Sequence, residues 1–286
     1  MKTPIPKIIS SIAMCSLIIA SLGQSGLSQQ AVPAKETTPK KAAPTRKAKP
    51  AESPAAPGWL SINIVRVKAD MLAEYQDFAK NETIPALQKG GVKQREAWGT
   101  GVFGEAFEFV YVTPIDSFAQ YDSPGPIVKA LGEEGARAYG AKARRLIVSS
   151  HTYAVQTRPD LSLMGNMSTP KLAVINSIRV VPGKGPAFES LLKTDILPAV
   201  KKAGATNYFV SQTVFGGDPN EYVTVTPMDS FAEIGKGSPV VRGMGGQAAF
   251  NRWLAKVSGI IASQERTVGR YLPDLSFPTP AKAENK

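Results

Sequence analysis

The chain has 286 residues, of which 43% are apolar, and it carries a formal net charge of +11 at pH 7. This length is typical of two domains of ordinary size. Its single cysteine, Cys15, lies in an N-terminal segment that we expect to be removed. The sequence therefore excludes disulfides, thiolate metal sites and a cysteine nucleophile from the rest of the protein.

The N-terminal segment has the layout of a secretory signal peptide. Two lysines precede an apolar run over residues 8–20, which is too short to cross a bilayer, and small residues follow it. We predict a signal peptide over residues 1–23, cleavage between residues 23 and 30, and a secreted or periplasmic protein with no transmembrane segment after cleavage. A membrane anchor is the alternative. Met14 before Cys15 disfavours a lipoprotein, because lipidation signals place a small residue there.

Residues 24–57 are rich in Ala, Pro, Lys, Thr and Ser and contain hardly any large apolar side chain. Such a segment buries too little surface to offset its ordering entropy, so we predict a disordered linker. With the signal peptide, it carries six of the eleven net positive charges. The linker is either a solvated spacer or a contact for an anionic surface such as a membrane or cell wall. It has no interleaved aromatic residues, so no specific nucleic-acid binding is predicted.

The remainder repeats itself. The stretch "TPIDSFAQYDSPGPIVKALG" from Thr113 is echoed by "TPMDSFAEIGKGSPVVRGMG" from Thr226, 113 residues later. The same spacing relates "INIVRV" from Ile62 to "INSIRV" from Ile175. We therefore predict a first repeat over 58–163, a second repeat over 164–277 and a disordered tail over 278–286.

Each repeat shows the same order of elements. In the first, alternation predicts a strand over 60–67, then a helix broken or kinked at Pro85, strands over 92–103 and 107–113, a helix over 126–144 and a strand over 146–155. In the second, the matching features are a strand over 172–181, Pro198, a helix over 239–256 and a strand over 260–268. Asp116 and Asp229 are predicted helix caps.

This order, β-α-β-β-α-β, is the ferredoxin-like unit, whose antiparallel sheet has helices on one face only. The other face needs cover, and two such sheets provide it for each other by packing face to face. The predicted fold class is therefore α+β, with two tandem ferredoxin-like repeats packed as an intrachain pseudo-dimeric α/β barrel.

The stretch "VVPGKGPAFESLL" from Val180 resembles the strand–turn–helix opening of the dimeric α/β-barrel superfamily, which includes NIPSNAP-like and antibiotic-biosynthesis-monooxygenase-like proteins. The resemblance implies the fold, and it implies cofactor-independent chemistry by polar and aromatic lumen residues. It supplies no motif that maps residue by residue. The haem-degrading branch places its axial histidine on a helix, whereas His151 is predicted on a strand.

The candidate site residues lie on the first and last strands of each repeat. Alternation places Ser149, His151 and Tyr153 on one face, and Glu265 stands where the second repeat matches His151. Asn63 and Asn176 occupy matched places on the first strands, and Asn63 is predicted to face the lumen near His151. A lone histidine without partners at ligand spacing predicts no metal site, and no cofactor is predicted.

These residues define candidate roles and their alternatives. His151, Asn63 and Tyr153 are the catalytic candidates, and Ser149, Asn176 and Glu265 are candidate ligand contacts. The alternatives are that His151 has no role and that the asparagines only satisfy hydrogen bonds within the sheet.

Three functions fit the sequence. The first is a non-catalytic exported barrel that binds a small, mostly apolar molecule or a protein partner. The second is a cofactor-independent monooxygenase-like enzyme with its site in the lumen. The third is a structural or surface-attached protein tethered by its basic linker.

Overall fold

The computed structural model describes residues 58–165 and 169–278. The predicted signal peptide, the linker and nearly all of the C-terminal tail lie outside the described residues. Within the described ranges, no helix is long and apolar enough to cross a membrane.

Eight antiparallel strands close into one barrel, in the order β1-β3-β2-β8-β5-β7-β6-β4. The strands are β1 Trp59–Val67, β2 Glu96–Phe103, β3 Glu108–Ile115, β4 Ile147–Thr157, β5 Leu172–Val180, β6 Phe209–Phe215, β7 Glu221–Met228 and β8 Ile261–Tyr271. The helices are α1 Leu72–Phe78, α2 Ile84–Lys89, α3 Pro126–Leu146, α4 Gly185–Leu191, α5 Leu197–Lys202, α6 Phe231–Gly235, α7 Pro239–Gly243 and α8 Gln247–Lys256. The predicted α+β barrel is confirmed.

The first strand of each half lies at the centre of a four-stranded sheet. Strand β1 pairs with β3 and β4, and β5 pairs with β7 and β8. The two sheets are joined by the pairs β2–β8 and β4–β6. Because successive side chains of a strand point to opposite faces, each strand sends one set of residues into the lumen and the other towards the helices.

The apolar core lies between each sheet and its helices. In the first half, Val65 and Val67 of β1 pack with Phe78 of α1 and Leu146 at the end of α3. In the second half, Val180 packs in the same cluster as Leu192 and Val200, all nearly inaccessible to solvent. These contacts fix the outward-facing set of each strand, so the alternate set must face the lumen.

The first helical segment of each half stays helical through its proline. A π-helical turn over Ala79–Thr83 connects α1 to α2, and one over Leu192–Ile196 connects α4 to α5. Pro85 and Pro198 lack the N–H group that a regular turn needs. The wider π turn just before each proline lets the chain stay helical, so of the predicted break or kink the break does not occur.

Other predicted bounds differ locally. Strand β2 begins at Glu96, four residues later than predicted, and the predicted helix over 239–256 is two helices. Gly245 and Gly246 separate them, with φ of 96° and 99°. This left-handed conformation cannot continue a right-handed helix. Ser117 caps the short 3-10 helix Phe118–Asp122, and Ser230 caps α6. The hydroxyl groups of these serines accept the backbone N–H bonds, and the preceding aspartates are not the caps.

Candidate functional site

The barrel encloses a cavity of about 480 Å³ between its two sheets. Its walls are mostly apolar and come from inward-facing side chains of both halves, including Leu60, Ile62, Val110, Val112, Val155, Ile175, Val223 and Val225. The side chains of Glu96, Trp98, Tyr153 and Tyr271 also line it. An apolar chamber with a few polar groups is the usual composition of a small-molecule site.

Glu96 is the acidic group of this chamber. It faces inward at the start of β2, because its neighbour Ala97 is fully buried in the helix-side core. Burial raises the pKa of the Glu96 carboxyl, and hydrogen bonding from the Trp98 side chain partly opposes this. A carboxyl held towards its neutral form in an apolar cavity can both donate and accept hydrogen bonds.

Tyr153 adds a second polar group to the wall. Burial raises its pKa to about 12, and the negative charges of Glu221 and Glu108 add to the effect. The phenol is therefore a neutral hydrogen-bond donor at physiological pH. Trp98 and Tyr271 pack edge to face with ring centroids 5.2 Å apart, so the aromatic wall opposite is held in place.

Substituting Glu96 with glutamine is expected to stabilise the ligand-free protein at neutral pH. Folding raises the pKa of the Glu96 carboxyl. The protonated acid therefore stabilises the folded protein, and this stabilisation is lost as the pH rises through the raised pKa. Glu96→Gln removes this loss, so its melting temperature should exceed that of the wild type by a few degrees at pH 7. The difference should vanish near pH 4, and an equal difference at both pH values would contradict it.

The predicted face of β4 lies on the lumen side of the barrel, but only part of it borders the cavity. Ser149, His151 and Tyr153 pair with Arg66, Ile64 and Ile62 of β1, so all three share the lumen-facing side. Of the three, only Tyr153 lines the cavity. Ser149 and His151 are exposed beyond its end, and the His151 ring lies 5.9 Å from that of Tyr153. Glu265 is likewise exposed, opposite Ser177 of β5.

The prediction that Asn63 faces the lumen near His151 is wrong. The register pairs Asn63 with Thr152, so its side chain points to the helix side. There its amide donates to Ser150 Oγ at 2.9 Å and to Thr152 Oγ1 at 2.8 Å. A shift of one residue in register exchanges the two faces of a strand, and the sequence alone does not fix this shift.

Asn176 also lies on the helix side, where it lines a separate cavity of about 260 Å³ between β5 and the helices of the second half. Its amide oxygen accepts from Arg266 Nε at 2.6 Å and Gln264 Nε2 at 3.2 Å, and its amide nitrogen donates to Thr224 Oγ1 at 3.1 Å. These bonds satisfy both ends of the Asn176 amide. Asn176 is therefore not a lumen contact.

Sequence reasoning missed Glu96. The letters "EAW" place Glu96 and Trp98 two residues apart, which is the spacing of one strand face. Trp98 lines the chamber, and the same alternation assigns Glu96 to that wall. Within the described ranges, no group of three or more His, Cys, Asp or Glu side chains is arranged to hold a metal ion.

No family model matches this sequence, and no curated protein matches it either. Three solved structures with a similar chain path are a "putative monooxygenase" from Lactobacillus acidophilus, another from Fusobacterium nucleatum, and a mutant chlorite dismutase from Candidatus Nitrospira defluvii. Their identities are 9%, 12% and 11%, and their TM-scores are 0.48, 0.49 and 0.49. They cover 78%, 76% and 76% of this chain and 96%, 93% and 92% of their own chains. Likenesses at this level carry no argument about activity, and the barrel fold follows from the strand order of the chain itself.

Proposed function

We propose that the protein binds a small, mostly apolar molecule in the lumen of its barrel. The observation that carries this proposal is the cavity of about 480 Å³ with walls contributed by both sheets. Its volume falls within the range of small-molecule sites, and burial of apolar surface supplies the main driving force there.

The polar groups of the cavity restrict the ligand. Glu96, whose pKa is raised by burial, and Tyr153, a neutral phenol, are two of the hydrogen-bonding groups in the wall. A ligand with a carbonyl or hydroxyl group at one end and an apolar body suits this arrangement, because an unpartnered buried polar group is costly. An anionic ligand is disfavoured by the glutamates Glu108 and Glu221, which already act on Tyr153.

A cofactor-independent monooxygenase-like enzyme is the second candidate. The raised pKa of Glu96 favours it, because acid–base catalysts are carboxyls whose pKa has been shifted towards neutrality by burial. Under this alternative, Glu96→Gln abolishes turnover of a bound substrate and leaves its affinity within a few fold. Under the binding role, the same variant changes only affinity.

Export and surface contact complete the proposal. The apolar run and lysines of residues 1–23 support secretion or periplasmic location, and the basic linker over 24–57 supports contact with an anionic surface. A structural, tethered protein with an empty lumen is the third candidate, and a ligand titration separates it from the first two.

The titration uses the neutral apolar dye N-phenyl-naphthylamine, whose fluorescence rises on leaving water. We expect saturable binding to the full-length protein and at least tenfold weaker binding to Val223→Trp, which fills the lumen from β7. The matched control is Val148→Trp on β4, where the native side chain is 59% exposed. Equal affinity of the two variants would contradict lumen binding.

A further inference from the structure

Arg95 lies immediately before β2 and is held there by an isolated β-bridge to Phe277. Its backbone N–H donates to the Phe277 carbonyl at 2.6 Å, and its own carbonyl accepts from Phe277 N–H at 2.8 Å. The residue therefore shares the helix-facing side with Ala97. Its guanidinium carbon lies 3.8 Å from the centre of the Tyr111 ring, in a stacking contact.

The charge of Arg95 has no counter-ion within residues 58–165 and 169–278. Among the described residues, no ion pair includes it, and its buried Nε atom has no hydrogen-bond partner. Burial lowers its pKa, and the nearby tyrosines Tyr111, Tyr75 and Tyr139 oppose this. Arginine still stays charged. Because folded proteins normally pair a buried charge, an unpaired one needs a reason.

Arg95 borders a cavity of about 230 Å³, which we call the first helix-side pocket. It lies between the sheet and the helices of the first half and is lined by Arg95, Tyr75, Tyr111, Tyr139, Phe78 and Leu87, among others. Ser150, which is exposed, also lines it, so the pocket reaches solvent. Tyr75 and Tyr111 bond each other at 2.7 Å, and Tyr139 bonds Thr83 at 2.9 Å. The phenols thus have partners, whereas the Arg95 Nε has none.

We propose that the first helix-side pocket binds the carboxylate of a small aromatic acid. The guanidinium fork matches a carboxylate, with two parallel N–H···O bonds. The aromatic walls suit a ring, and a dry apolar cavity of about 150 Å³ is enough for benzene. Arg95 is the only cationic side chain among the lining residues, so the charge balance fits a monoanion better than a phosphate dianion.

The second half provides an internal comparison. The strand pairing places Tyr208 where the first half has Arg95, because Phe209 pairs with Val225 as Glu96 pairs with Val112. The cavity of about 260 Å³ in the second half, which we call the second helix-side pocket, has its own arginine. This residue, Arg266, comes from β8 and is already bonded to Asn176. Its guanidinium is therefore partly satisfied, and it serves as the matched control.

The experiment measures the binding of benzoate and of its neutral isostere benzamide to the full-length protein by calorimetry. We expect the wild type to bind benzoate at least tenfold more tightly than benzamide. Arg95→Met should remove this preference while its ligand-free melting temperature stays level or rises, because a partly buried charge without a counter-ion is replaced by an apolar side chain. Arg266→Met should keep the preference.

Three results would overturn the proposal. The first is that the wild type binds both ligands with equal affinity. The second is that Arg95→Met binds benzoate as tightly as the wild type does. The third is that ligand-free Arg95→Met melts at least five degrees below the wild type. The last result would make Arg95 a structural residue. The wild-type comparison decides the matter even if the variant does not fold. Val223→Trp, which fills the lumen, should keep the benzoate preference, so this pocket is tested independently of the proposed function.

Discussion

Gly243→Ala is expected to destabilise the protein by about 3 kcal/mol or more. A Cβ atom at Gly243 on α7 would lie 1.8 Å from the Ala199 carbonyl oxygen and 2.4 Å from its carbon on α5. The obstacle is the backbone of another helix, which cannot rotate away as a side chain can. The two helices must therefore separate, and the apolar contacts between them are lost. Urea unfolding measures the change.

The control for this prediction is Gly235→Ala. Gly235 is also helical, and a Cβ atom there meets nothing within 4 Å. Alanine lowers the conformational entropy of the unfolded chain, so this change should be neutral or stabilise by up to about 1 kcal/mol. If both variants unfold at the same urea concentration as the wild type, this result would contradict the close packing of α5 against α7.

Arg158→Met is expected to lower the free energy of unfolding by about 2 to 3 kcal/mol. This loss is smaller than that for a fully buried ion pair, because the Arg158 side chain is partly hydrated. The Arg158 side chain is 16% exposed and joins the end of β4 to α4 of the second half. It donates to both oxygens of Asp160, at 2.9 and 2.8 Å, and to both oxygens of Glu189. Tyr222 also donates to Glu189, at 2.9 Å. The variant leaves two carboxylates without their main partner.

The same network predicts acid sensitivity. Hydrogen bonds from Arg158 are the main cause that lowers the pKa of Asp160 to about 2, and they also lower the pKa of Glu189. An acid whose pKa is lowered by folding stabilises the folded protein at any pH above its ordinary pKa. This stabilisation is lost as the pH falls through the lowered pKa of the folded state. The stability gap between wild type and Arg158→Met should therefore shrink between about pH 4 and pH 2.

The matched control removes an exposed ion pair. Lys93 and Asp116 lie 3.0 Å apart, with side chains 83% and 72% exposed. Such pairs contribute little, so Lys93→Met should change stability by less than about 0.5 kcal/mol at every pH tested. A loss for Lys93→Met as large as that for Arg158→Met would show that the network has no special role.

The barrel was predictable because its signals are local and occur twice. Alternation in "INIVRV" and "INSIRV" and apolar helix faces at equal spacing indicate two β-α-β-β-α-β units. An antiparallel sheet with helices on one face needs a cover for the other, and in the closed barrel each four-stranded sheet covers the other. The π turns before Pro85 and Pro198 were not predictable, because the sequence shows only that a regular turn is disfavoured there.

The site was less predictable because it depends on pairing between distant strands. The face of Asn63 is set by its pairing with Thr152, 89 residues later, and not by the alternation within β1. His151 shares the correct face but extends past the end of the chamber, where the side chains are exposed. Glu96 was overlooked because the chamber that it lines forms only when strands of both halves come together as walls.

A crystal structure of the full-length protein with bromonaphthalene tests the lumen site most directly, because anomalous scattering locates the bromine atom without bias. The account predicts one dominant bromine peak between the two sheets, within contact distance of Trp98, Tyr153 and Val223. Bromine only in the helix-side pockets, or an empty lumen beside a folded barrel, would contradict the claim that this chamber binds apolar molecules.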